Sequence, residues 1–87
     1  MEVLKKFGRL VKERRYEVGL SQEKLAELCG LSTRQIVKIE KGIVSVRFIN
    51  LVRICVECKI DIGELEQFWV SPYEDLELGI LEFKAKK

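Results

Sequence analysis

The sequence predicts an all-α protein of 87 residues, a compact bundle of five helices with a short C-terminal extension. Three observations carry that expectation. Apolar residues recur at helical spacing as far as the aromatic pair Phe68 and Trp69. Ser, Asp and Gly stand where helices would have to begin and end. The only proline is Pro72, so nothing before it forbids a helical backbone.

Residues 3–18 read as the first helix. Phe7, Val11 and Val18 recur at its period with Leu4 and Leu10 beside them, and Gly19 supplies a stop. Ser21 caps a second helix over 22–29, whose apolar side is Leu25, Ala26, Leu28 and Cys29. Gly30 stands where a left-handed residue costs least. Ser32 caps a third helix, 33–41, and Gly42 ends it. A fourth helix, about 46–58, is apolar almost all round, broken only by a stripe of Arg47, Asn50, Arg53 and Glu57. Such a pattern places it at the centre of the bundle. Asp61 caps a short fifth helix, 62–69, with Ile62, Leu65 and Phe68 facing inward. The extension, 70–87, opens with Ser71 and Pro72 as a helix would, yet "LELGILEF" alternates in part as a strand would.

Residues 1–69 therefore form one domain and residues 70–87 an appendage. A chain of this size buries only about two-thirds of its unfolded surface, so its stability margin is small. Apolar residues make up 47% and charged residues 34%, the composition of a folded protein. No apolar run approaches the roughly 18 residues of a membrane helix. The start, "MEVLKKFGRL", has neither the apolar core nor the cleavage site of a signal peptide, so a cytoplasmic location is expected. Three cysteines, an odd number in helix-like patterns, fit a reducing compartment.

The net charge of +2 hides an uneven division. Residues 1–59 hold thirteen Lys or Arg against seven Asp or Glu, a balance of +6; residues 60–87 hold three against seven, a balance of −4. The first part carries a basic field that suits a polyanion, and the last part would repel one.

The third helix gives that field a direction. At 100° per residue, Thr33, Arg34, Val37, Lys38 and Lys41 fall within an arc of about 140°, with Ile36 and Ile39 opposite. A helix of this length, roughly 13 Å, fits the major groove of B-DNA. Arg34 and Lys38 can donate to guanine edges or phosphates, Thr33 can hydrogen-bond, and Val37 can touch a thymine methyl. Charge alone would favour a merely solvated face. The tight turn containing Gly30 favours DNA, because two helices so joined project the second outward.

Residues 20–42, "LSQEKLAELCGLSTRQIVKIEKG", resemble the helix-turn-helix of the phage repressor and Cro family, also called the XRE family. The matching positions are Leu20-Ser21-Gln22, Leu25-Ala26, Gly30, Leu31-Ser32, Ile36, Ile39-Glu40 and Gly42, with Arg15 upstream and Leu51, Ile54, Ile60 and Leu65 downstream. The resemblance covers about residues 5–68. It implies a lambda-repressor-like fold and a sequence-specific transcriptional regulator, a repressor reading an inverted repeat. It also implies base contacts by Thr33, Arg34, Val37 and Lys38, phosphate contacts by Gln22, Gln35, Lys41 and Arg47, and a structural ion pair between Arg15 and Glu40. Three positions depart from the family pattern: Lys41 stands where Asn is frequent, Val46 where Pro is frequent, and Cys58-Lys59 where Leu-Gly often ends helix four.

Other chemistry finds no footing. "CVEC" lies in mid-helix, the chain has no histidine, and three thiols make a poor zinc site, so neither metal nor cofactor is expected. Without His, Ser-His and Cys-His nucleophiles are excluded, and no enzyme is expected. Glu64 and Glu66, and Glu74 and Asp75, read as solvated surface. The apolar residues exceed what a core of this size hides. Leu10, Tyr16, Val44, Ile49, Val56, Trp69 and the extension therefore point either to an extension folded back on its own domain in a monomer or to a partner. A homodimer through the end of helix four, helix five and the extension is the natural one, since one module reads only a half-site. The alternative is an antitoxin-like or adaptor module whose residues 70–87 bind another protein.

Overall fold

The computed structural model describes residues 2–68. The extension at 70–87, expected as helix or strand, lies outside the described residues. Within them the chain runs α1 (Glu2–Glu17), α2 (Gln22–Cys29), α3 (Thr33–Lys41), α4 (Phe48–Glu57) and a terminal 3-10 helix (Ile62–Phe68). The fold is all-α, with no strand among the described residues.

Local chemistry sets the boundaries. The Ser21 hydroxyl accepts from the Lys24 N–H at 2.9 Å and starts α2. Ser32 and Gln35 form a reciprocal capping box, with Ser32 Oγ accepting from the Gln35 N–H at 3.1 Å and Gln35 Oε1 accepting from the Ser32 N–H at 2.8 Å. Gly30 and Gly42 both take left-handed conformations, with φ of 71° and 72°. In each case the following N–H reaches back to the last turn, Leu31 to Ala26 O and Ile43 to Lys38 O.

The core is built from one side of each helix: Phe7 and Val11 from α1, Leu25, Ala26 and Cys29 from α2, Ile36 and Ile39 from α3, and Ile54 and Cys55 from α4, closed by Cys58 and Ile60. α3 packs on both α1 and α2, α4 packs on α2, and the 3-10 helix returns to α1. The three thiols are free and buried, and desolvation pushes each above its ordinary pKa, Cys58 to about 12. No described helix is long and apolar enough to cross a membrane.

Four sequence expectations need correction. Leu28 is 41% exposed, because the apolar side of α2 narrows to Leu25, Ala26 and Cys29. α4 is shorter than expected and does not lie at the centre. Leu51, Ile54, Cys55 and Cys58 turn inward while Phe48, Ile49 and Val56 are 76%, 54% and 66% exposed. The fifth helix is of the 3-10 type, and its Ile62 faces solvent at 52% exposure rather than inward. Its first turn is drawn tight by Asp61, whose carboxylate accepts from Gly63 N–H, while Glu64 reaches back to Asp61 N–H at 2.9 Å. Glu64 is also not simply solvated. Arg14 clasps it with both terminal nitrogens, fastening the 3-10 helix to α1 and holding the Glu64 carboxyl below its ordinary pKa.

The turn that follows α4 passes through the lysine that departs from the family pattern. Lys59 has φ of 58°, the only non-glycine at positive φ among the described residues, and Ile60 N–H closes the turn on Cys55 O at 2.8 Å. This is the place where a glycine costs least. Lys59→Gly is expected to raise unfolding free energy by about 1 kcal/mol, relieving the left-handed strain while keeping the carbonyl in place. Urea denaturation followed by circular dichroism measures the midpoint, and an unchanged or lower midpoint would refute the strain.

Candidate nucleic-acid interface

α3 divides into an inner and an outer side. Ile36, Ile39 and Glu40 are buried. Thr33, Val37 and Lys38 are half-buried, and Arg34 and Lys41 are exposed. The structure thus gathers the five residues read from the sequence on one solvent-facing side. What it adds is how that side is held.

Glu40, in the last turn of α3, is the centre of a buried polar network. Its Oε2 accepts from Arg15 Nε at 2.6 Å and its Oε1 from Arg15 Nη2 at 3.2 Å. The same Oε1 accepts from Gln22 Nε2 at 3.0 Å. Arg15 Nη1 donates to Leu20 O at 2.9 Å, in the turn between α1 and α2. Both charged side chains are almost fully enclosed, at 5% and 3% exposure. The hydrogen bonds to Glu40 raise the Arg15 pKa further, against the opposing effect of burial, so the guanidinium stays charged. Its carbon lies 4.6 Å from the centre of the Tyr16 ring.

Two glycines let α1 and the end of α3 approach this closely. A methyl on Gly8 would lie 2.5 Å from the carbonyl oxygens of both Ile39 and Glu40. A methyl on Gly42 would lie 2.5 Å from Lys5 Cα. Gly8 carries no helix-breaking role and has no motif around it, so nothing in the sequence marked it. Arg53, read as part of a polar stripe, donates to Cys29 O at 3.2 Å and satisfies the end of α2.

The two glutamines are already engaged within the fold. Gln22 has one amide hydrogen on Glu40, and Gln35 has its oxygen in the capping box. Each keeps a free amide N–H pair or hydrogen for another acceptor. Arg47 is the N-cap residue of α4 and makes no side-chain capping bond there. It lines, with Lys38 and Gln35, a cleft of about 250 Å³ between α3 and α4. On the other flank a more open cleft of about 580 Å³ brings Gln22 and Thr33 together with Lys12 and Tyr16 of α1. The outer side of α3 therefore lies between two clefts, one bearing Lys12 and the other Lys38 and Arg47. Among the described residues no group of metal-ligating side chains is assembled.

The comparisons agree with this geometry. The family model described as "Helix-turn-helix" (HTH_3) matches residues 11–65. The restriction-modification controller protein C.AhdI from Aeromonas hydrophila has a crystal structure similar to this fold, with a TM-score of 0.69 and 35% sequence identity. The similarity covers 75% of this chain and 98% of that one. No curated protein matches in sequence.

The buried network makes a specific demand on stability. Arg15→Met leaves the Glu40 carboxylate buried with Gln22 alone, and should cost about 3–5 kcal/mol. Arg15→Met combined with Glu40→Leu should recover most of that loss, since an apolar pair of similar volume removes the desolvation penalty. Thermal unfolding of wild type, both single variants and the double variant gives the coupling. Additive losses would show that the two groups act independently.

Proposed function

The chain belongs to the helix-turn-helix family, and from that premise we propose that it is a repressor binding an inverted DNA repeat as a homodimer. That it is a DNA-binding transcriptional regulator of the phage repressor and Cro type follows from the family and its structural neighbour. The finer reading rests on one observation, the outer side of α3 with Arg34 exposed and Thr33, Val37 and Lys38 half-buried beside it while a buried network fixes the helix from behind.

In this reading those four side chains meet base edges in the major groove. Gln22, Gln35, Lys41 and Arg47 meet phosphates on either side and set the register. The neighbour named as a restriction-modification controller supports a regulatory role. A bound dimer excludes other proteins from the same stretch of duplex, which is the simplest route from binding to lowered transcription. Residues 1–69 carry DNA binding, and residues 70–87 add to the dimer contact.

The dimer reading is supported by α4. Phe48, Ile49, Val52 and Val56 fall within an arc of about 100° on the side of the helix turned away from the core. Of these, Phe48, Ile49 and Val56 are more than half exposed. A continuous apolar stripe on one exposed helix face marks an interaction surface. A second copy uses it best, because two-fold pairing sets two recognition helices at the spacing of a palindrome.

Selection of bound sites from a random duplex pool tests the reading as a whole, and a motif without two-fold symmetry would refute the inverted repeat. On the selected site, Arg34→Ala or Lys38→Ala should cost about 1–3 kcal/mol and relax preference at one position per half-site. Equal losses on selected and random duplexes would remove direct base readout. Val56→Glu should convert the sedimenting species from a dimer to a single 10.1 kDa chain while leaving the thermal midpoint of the folded domain little changed. A variant that still sediments as a dimer would place the interface elsewhere.

A further inference from the structure

α1 has an outer side that the helix-turn-helix does not use. Lys5, Arg9, Lys12 and Tyr16 fall within an arc of about 60° on it, spaced i, i+4, i+7 and i+11. All four are exposed. Among the described residues, none of the three cations takes part in an ion pair. The other arginines of α1 contrast with them: Arg14 is engaged by Glu64 and Arg15 by Glu40.

This stripe is continuous with the recognition face at both ends. Near the start of α1, Lys5 and Arg9 border the same depression as Lys41, at the end of α3. Near its end, Lys12 and Tyr16 line the same cleft as Gln22 and Thr33, at the start of α2 and α3. Glu23 also borders that cleft, the one unpaired carboxylate there. Between Lys5 and Lys12 the helix rises about 10 Å, the axial length of about three base steps of a duplex.

We propose that Lys5, Arg9 and Lys12, with the Tyr16 hydroxyl, form a phosphate track that holds the DNA backbone alongside the recognition helix and extends the footprint beyond the helix-turn-helix. This inference rests on the DNA-binding reading above and deepens it. The occupant is the sugar-phosphate backbone of the same duplex, because three cations without an ion pair share the stripe, with Glu2, Glu13 and Glu23 as exposed acids only at its borders, and it shares a depression with the outer side of α3 at each end. Its contribution is sequence-independent. Each cation neutralises one phosphate and releases condensed counterions. Arg15 beneath the Tyr16 ring holds the phenol at the edge of the cleft, where its hydroxyl can donate to a phosphate oxygen.

The test measures dissociation constants for the selected duplex and a scrambled duplex of equal length at several salt concentrations. The proteins are wild type, Lys5→Ala, Arg9→Ala, Lys12→Ala, the triple variant, Tyr16→Phe and Arg34→Ala. Each cation removed should weaken binding to both duplexes by roughly five- to tenfold near 0.1 M salt and lower the log–log salt slope by about one. The triple variant should lower it by about three, with the ratio between the two duplexes unchanged, and Lys12→Arg should behave as wild type. Tyr16→Phe should weaken both duplexes by a smaller, equal factor. The side chains are exposed, so the thermal midpoints should match and folding is not a confound. A triple variant that keeps the wild-type salt slope overturns the track and leaves the patch to an acidic protein. A loss confined to the selected duplex overturns it as well. Failure of the regulator reading has a different signature: wild type and Arg34→Ala would bind both duplexes alike.

Discussion

One carboxylate holds this fold to its purpose. Glu40 sits in the last turn of α3 and is bonded by Arg15 of α1 and Gln22 of α2, so three helices meet at two oxygen atoms. Taking such a pair out of water costs several kcal/mol per ion, and the attraction between the charges roughly offsets that. Its net contribution to stability is therefore small. What it fixes is direction. A guanidinium presents its donors in a rigid fork, and a carboxylate accepts them in one plane; an ammonium in place of Arg15 would keep the charge and lose the alignment. The outer side of α3 is thereby set relative to α1 and to the start of α2, which together frame the proposed DNA face.

The same constraint explains a glycine in the middle of a helix. Alanine at position 8 would favour the helix by about 1 kcal/mol. Its methyl would also stand 2.5 Å from two carbonyl oxygens at the end of α3, a distance no packing adjustment of a side chain can relieve, because the atoms met are backbone. Tertiary approach overrides local propensity. Gly42 supports the arrangement from the other side, where the α3 backbone turns left-handed beneath Lys5. The ion pair and these two glycines depend on one another: the first needs the close approach that the others permit.

The boundaries of α2 and α3 were legible in the sequence because short-range chemistry decides them. Ser21, Ser32, Gly30 and Gly42 act through bonds to neighbours a few residues away, and that chemistry reads the same in any fold. The placement of α4 was not legible. Its two sides, Leu51, Ile54, Cys55 and Cys58 on one and Phe48, Val52, Val56 and Ile49 on the other, are both wholly apolar, and what sets them apart is what lies opposite them. Periodicity measures amphipathicity within one chain and is blind to whether an apolar side meets its own core or faces outward. For the candidate site, the outer arc of α3 followed from helical geometry alone. Gly8, the Glu64 clasp on Arg14 and the engagement of both glutamines did not, since each depends on a contact between residues distant in sequence or on a bond that competes with the expected one.

Net charge is a poor guide to what a phosphate approaching this protein would meet. The sequence balance of +6 over residues 1–59 counts Arg14 and Arg15 with the rest. Arg15 is enclosed against Glu40, and Arg14 lies about 180° round α1 from Lys5, among Glu17 and Glu64. Neither adds charge to the outer side of α3, but neither do the acids that hold them. The cations that remain near α3, exposed Arg34, Lys41 and Arg47 with half-buried Lys38, are joined by Lys5, Arg9 and Lys12 along α1, with Glu23 as the acid in the bordering cleft. Screening limits each charge to about 10 Å at 0.1 M salt, so a phosphate responds to this local excess and not to the whole chain. The internal ion pairs thus do two things at once. They set the helices, and the Arg15–Glu40 pair neutralises an acid beside Lys5, Arg9 and Lys41, where negative charge would oppose the proposed binding.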